Sequence, residues 1–172
     1  TLNPDPVFSS TEILLPAPSK NNDWPQAGGF ANHAMHHLEV GEDIKFAWSS
    51  DIGDGANDEV RLIGSPIIAD GRVYAMDTSS KVSAFDIKTG EKLWQIFLTP
   101  DEEDDDHIGG GLAFENKRIY VTTGFAEVIA LDAFNGEVLW KTSVAGPMRS
   151  AADEAPKLQG PKDESIWEAR AT

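Results

Sequence analysis

The chain has 172 residues, with 14 Lys+Arg against 29 Asp+Glu, a formal net charge of −15. That balance argues against binding phosphate backbones or anionic lipid surfaces, and no run approaches the roughly 18 apolar residues of a membrane-spanning helix. With no Cys, disulfides, zinc–thiolate sites and thiol nucleophiles are excluded, which suits a reducing cytosol and a periplasm alike.

In chain order, residues 1–23 carry Pro4, Pro6, Pro16 and Pro18 among Ser, Asn and Asp, and read as an extended tether. The chain opens on Thr1 without a basic start and apolar run, so any export signal is expected outside this sequence. The short apolar patch Ile13-Leu14-Leu15 is suited to docking on a neighbour. Residues 24–43 read as irregular structure. Within them His33, His36 and His37, with Asp23 or Glu39, are of the types that ligate transition metals. Spacing alone does not make them converge, and a polar loop on a rim is the expectation. Residues 44–50 read as one outer strand carrying Trp48. Asp51, Asp54 and Asp58 with Gly53 and Gly55 share features with a calcium loop, but the twelfth position from Asp51 is Leu62 where a bidentate Glu belongs. No metal is expected there.

The informative feature is an internal repeat. Residues 64–98 and 110–144 align without a gap: Arg72 with Arg118, Tyr74 with Tyr120, Ala84 with Ala130, Asp86 with Asp132, Gly90 with Gly136 and Trp94 with Trp140, every pair 46 residues apart. Trp48 stands 46 residues before Trp94 and marks a partial preceding repeat. In the first copy, Ser65–Ala69, Arg72–Asp77, Lys81–Asp86 and Glu91–Leu98 read as strands between turn signals at Asp70-Gly71, Ser79-Ser80 and Thr89-Gly90. Four short strands per repeat at this period predict an all-β fold, a β-propeller of four-stranded blades spanning residues 24–150.

Between the repeats, Asp101, Glu102, Glu103, Asp104, Asp105 and Asp106 form an acidic run followed by His107. It reads as a solvated blade-to-blade loop and lacks the turn Gly of a compact calcium loop. No Gly-x-Ser-x-Gly, Walker or dinucleotide-binding loop occurs. After Ala151 the alternation stops. Residues 151–172, with Pro156, Pro161 and Trp167, read as a disordered tail.

The repeated pattern Ala-x-Asp-x-x-x-Gly-x-x-x-Trp has a structural reading. Gly90 and Gly136 follow Thr89 and Asn135 in turns that need a positive φ. Asp86 and Asp132 accept hydrogen bonds from turn amides. Ala84 and Ala130 leave room for a large ring, and Trp94 and Trp140 supply rings that wedge between blades.

This pattern resembles the tryptophan-docking motif of pyrroloquinoline-quinone-type propeller repeats. With DWPQAGGFANHAMHHL (23–38), AWSSDIGDG (47–55), GGGLAF (109–114) and VAGPMRSA (144–151), the chain is similar to the alphaproteobacterial form of the BamB family, outer-membrane assembly lipoproteins of Gram-negative bacteria. The resemblance implies an eight-bladed, non-catalytic propeller without metal or cofactor. It implies a lipid anchor to the periplasmic side of the outer membrane, outside this chain. It also implies partnership with the periplasmic domains of BamA and other assembly-complex members, in the insertion of β-barrel proteins. Partner-contact residues are not indicated. The chain departs from the family in holding two blades and one outer strand, and in its tail. The alternatives are a quinone-dependent dehydrogenase, which shares the docking motif but often carries an adjacent Cys pair, and a generic protein-interaction propeller.

Overall fold

The structure is a computed structural model that describes residues 12, 14–58, 61–100 and 110–146. The acidic run 101–106, His107 and the tail 151–172 lie outside the described residues, as does most of the Pro-rich start.

Among the described residues, eight strands form two four-stranded antiparallel sheets. The first contains β1 (Ile67–Ala69), β2 (Arg72–Met76), β3 (Lys81–Asp86) and β4 (Lys92–Phe97). The second contains β5 (Gly110–Glu115), β6 (Arg118–Thr123), β7 (Glu127–Asp132) and β8 (Val138–Ser143). Strand order follows chain order in both, so every connection within a sheet is a hairpin. The turn signals fall where the hairpins are. Asp70 and Gly71 turn β1 into β2, each with positive φ, and Asn116 and Lys117 do the same between β5 and β6.

Register repeats with the sequence. Tyr74 pairs with Ala84, and Ala84 with Trp94. Tyr120 pairs with Ala130, and Ala130 with Trp140. A register shift follows each Ala, between Ala84 and Phe85 and between Ala130 and Leu131. Such an irregularity re-aims the outer strand locally.

The two-residue period of a strand separates two faces. Ile67, Tyr74, Met76, Val82, Ala84, Trp94 and Ile96 of the first sheet meet Leu112, Phe114, Ile119, Val121, Ile129 and Leu131 of the second. This is the main core. Ala113, Tyr120, Ala130 and Trp140 form a smaller cluster on the far side of the second sheet. Each repeat therefore carries the same Tyr–Ala–Trp face, and the first copy packs on the opposite face of the next sheet.

Two segments expected as irregular or as a strand behave in ways sequence periodicity does not show. Trp24 N donates to Ile68 O at 2.6 Å, Ile68 N donates to Trp24 O at 2.9 Å, and Phe114 N donates to Pro25 O at 2.7 Å. Residues 24–26 thus strap the free edges of β1 and β5 together. Residues 44–50, expected as an outer strand, form no β-ladder with the described strands. Ile44 and Phe46 stand exposed, while Trp48 is held on the turn between β3 and β4.

Candidate functional site

The recurring residues converge on two turns of identical design. In the turn after β3, Asp86 Oδ1 accepts the backbone N–H groups of Lys88 at 2.8 Å and Thr89 at 2.9 Å. In the turn after β7, Asp132 Oδ1 accepts those of Phe134 at 2.8 Å and Asn135 at 3.1 Å. Each turn closes with a glycine N–H on the same aspartate's carbonyl, Gly90 N to Asp86 O and Gly136 N to Asp132 O, both at 2.9 Å. The Thr89 and Lys88 amides hold the Asp86 carboxyl below the usual carboxylate range.

Each glycine is the floor on which an indole lies. Gly90 has φ +73 and Gly136 φ +77. A Cβ on Gly90 would come within 2.5 Å of the Trp48 ring, and one on Gly136 within 2.7 Å of the Trp94 ring. The indole N–H then donates to the carbonyl just after the aspartate: Trp48 Nε1 to Ile87 O at 2.9 Å, Trp94 Nε1 to Ala133 O at 3.2 Å. Trp94 therefore does not serve its own repeat's glycine. It reaches the glycine of the following repeat, as Trp48 does one step earlier.

Two repeated residues to which the sequence reading gave no role complete the joint. Arg72 Nη1 donates to Ala133 O at 3.0 Å and Phe134 O at 2.7 Å, and its guanidinium lies 4.6 Å from the Phe134 ring centroid. Tyr74 OH donates to Ala133 O at 3.2 Å, and its ring lies 5.9 Å from that of Trp94. One carbonyl thus collects three side-chain donors from the neighbouring sheet. Burial pushes the Tyr74 phenol up to about 12. The signal was present in the sequence, since Arg72 and Tyr74 recur as Arg118 and Tyr120.

Gly136 receives Trp94, and Trp140 lies 6.1 Å from Tyr120 in the same tilted arrangement as its counterpart. On the opposite face of the first sheet lies an apolar pocket of about 270 Å³, lined by Trp48, Ile52, Leu62, Val73, Met76 and Phe85 among others.

Several of the candidate metal ligands make structural contacts instead. Asp23 Oδ1 accepts the Asp70 N–H, His37 Nδ1 lies 2.8 Å from Pro16 O, and His33 packs against Gly28. Asp51 Oδ1 caps Gly53 N, and Asp54 accepts the Ser79 hydroxyl at 2.7 Å. The buried Asp77 carboxylate receives Asp54 N, Ser79 N, Lys81 N and the Lys81 ammonium at 2.9 Å. This network pins the loop 51–55 to the β2–β3 turn. Among the described residues, no three His, Asp or Glu side chains gather on one point.

Hairpin-linked four-stranded sheets, stacked face to face and joined by an indole on a glycine turn, define blades of a β-propeller. The family model described as outer membrane protein assembly factor BamB matches residues 38–107 and 99–163. The chain belongs to that family of PQQ-type repeats. It is 30% identical over 104 residues to the outer membrane protein assembly factor BamB of Escherichia coli, covering 58% of this chain and 26% of that one. It is also 25% identical over 163 residues to lupanine 17-hydroxylase [cytochrome c] of a Pseudomonas species, covering 83% of this chain and 22% of that one. The quinohemoprotein alcohol dehydrogenase of Comamonas testosteroni shares the fold, with a TM-score of 0.58 at 24% identity over 73% of this chain and 20% of that one. The chain spans about a quarter of the length of the curated relatives it matches.

Proposed function

We propose that the protein is a non-catalytic scaffold on the periplasmic side of the outer membrane of a Gram-negative bacterium. In this reading it assists insertion of β-barrel proteins by binding the periplasmic domains of BamA. The observation that carries the reading is the match to the family described as outer membrane protein assembly factor BamB across residues 38–163, with 30% identity to the E. coli member. The joint itself is consistent with a scaffold. Asp86, Asp132, Trp48, Trp94, Arg72 and Tyr74 all direct their polar atoms into turns and blade contacts.

A second reading is a quinone-dependent dehydrogenase. The observation favouring it is the longer alignment to lupanine 17-hydroxylase, over 83% of the chain. The two separate by turnover. The protein is supplied with pyrroloquinoline quinone, calcium, a primary alcohol and an electron-accepting dye. The scaffold reading expects no dye reduction above the protein-free rate. Sustained, protein-dependent reduction would overturn it.

A further inference from the structure

The turn that receives Trp94 contains Asn135-Gly136, the one place in the sequence where Gly follows Asn. That dipeptide carries an intrinsic chemistry. The glycine amide nitrogen attacks the asparagine Cγ, a C–N bond closes a five-membered succinimide, and the C–Nδ2 bond breaks with loss of ammonia. Water then opens the ring at either carbonyl, leaving aspartate or isoaspartate. Water is the sole co-reactant and no electrons are exchanged. Glycine favours the step because it has no side chain to obstruct the approach and the widest backbone freedom.

The folded turn opposes each part of this reaction. Asn135 is exposed, but the nucleophile is not: Gly136 is buried under the Trp94 ring. The Gly136 N–H is donated to Asp132 O at 2.9 Å. The electrophile is held as well, since Asn135 Oδ1 accepts the Glu137 N–H at 3.0 Å and Asn135 N is tied to Asp132 Oδ1. Arg72 and Tyr74 fix the carbonyls of Ala133 and Phe134 immediately before the pair. The homologous seat of Trp48 shows the same turn without the chemistry. There Thr89 Oγ1 accepts the Glu91 N–H at 3.2 Å, in the role of the Asn135 carboxamide oxygen.

We propose that Asn135 is a self-modification site gated by tryptophan docking, closed while Trp94 lies on Gly136 and reactive when the two blades part. Isoaspartate inserts one extra backbone atom directly before Gly136. The turn then no longer presents its glycine to the ring, so an opening of this interface leaves a permanent mark at one seat and none at the other.

The test incubates the full chain in mildly alkaline buffer with and without urea. Peptide mass spectrometry reads amide-to-acid conversion at position 135, and isoaspartyl methyltransferase labelling identifies the product. Conversion is expected to be about tenfold or more faster in urea, as for any reaction that requires local opening. Arg72→Ala, which loosens the seat, is expected to fall between the two, and Asn135→Thr to abolish the reaction with an unchanged unfolding midpoint. Equal rates in buffer and urea would overturn the gate, and absence of conversion in urea would overturn the site. The comparison on the unsubstituted chain stands even if Arg72→Ala fails to fold.

Discussion

At residue scale, the blade joint rests on the absence of one atom. Gly136 combines a φ of +77 with a ring where its Cβ would stand. Gly136→Ala therefore incurs both left-handed strain and displacement of Trp94, and is expected to cost about 2–4 kcal/mol. Urea unfolding followed by tryptophan fluorescence measures it. Gly71 is the contrast, with a similar φ of +72 but open space around the Cβ position. Gly71→Ala should show the strain alone, about 1–2 kcal/mol. Tyr74 gives a second residue-scale prediction, in pH. Its phenol titrates near 12 in the fold against about 10 unfolded, so the neutral form is favoured by folding. That contribution is complete below pH 10 and is lost as pH rises toward 12. Lys81, raised by its bond to Asp77, adds its own alkaline loss in every variant. The difference between the unsubstituted protein and Tyr74→Phe isolates the phenol, and the Phe variant is expected to show the shallower alkaline limb.

At the scale of elements, the hairpins were legible, whereas which glycine each indole meets was not. Strands and turns lie within one period, so the alternation and the Asp-x-x-x-Gly spacing place β1–β4 to within two residues at each end. The pairing of Trp48 with Gly90 and of Trp94 with Gly136 spans 42 residues and is set by how sheets stack, which local spacing does not encode. The strap at 24–26 was illegible for a different reason. It pairs with β1 and β5 through isolated bridges, too short for any alternation. Its effect is measurable by hydrogen exchange. The amides of Ile68 and Phe114 sit on sheet edges yet donate to Trp24 O and Pro25 O. They should exchange at rates set by opening of the strap, slower than unbonded edge amides. Fast exchange at both would contradict it. The turn after β3 makes an acid-side prediction. Asp86 is held charged by turn amides, so its contribution is present above the ordinary carboxylate pKa and is lost as pH falls through the depressed value. Asp86→Asn should flatten the acid limb of a stability–pH curve.

At the scale of the molecule, the two sheets form a chain of like interfaces. The Tyr–Ala–Trp face of one repeat meets the opposite face of the next, and repeat proteins draw their stability from such nearest-neighbour contacts. Of the polar residues singled out in the sequence, Asp23, His37 and Asp54 bond to segments distant along the chain, placements that only the tertiary fold reveals, and Asp51 bonds to nearby Gly53. The functional reading rests on the family match, and the chain is similar both to the assembly factor of E. coli and to a hydroxylase of Pseudomonas. The most direct measurement is a binding titration of the chain onto immobilised periplasmic domains of BamA at physiological salt. The account predicts saturable binding that survives added calcium and quinone unchanged. Absence of binding at concentrations where the chain is folded would contradict it.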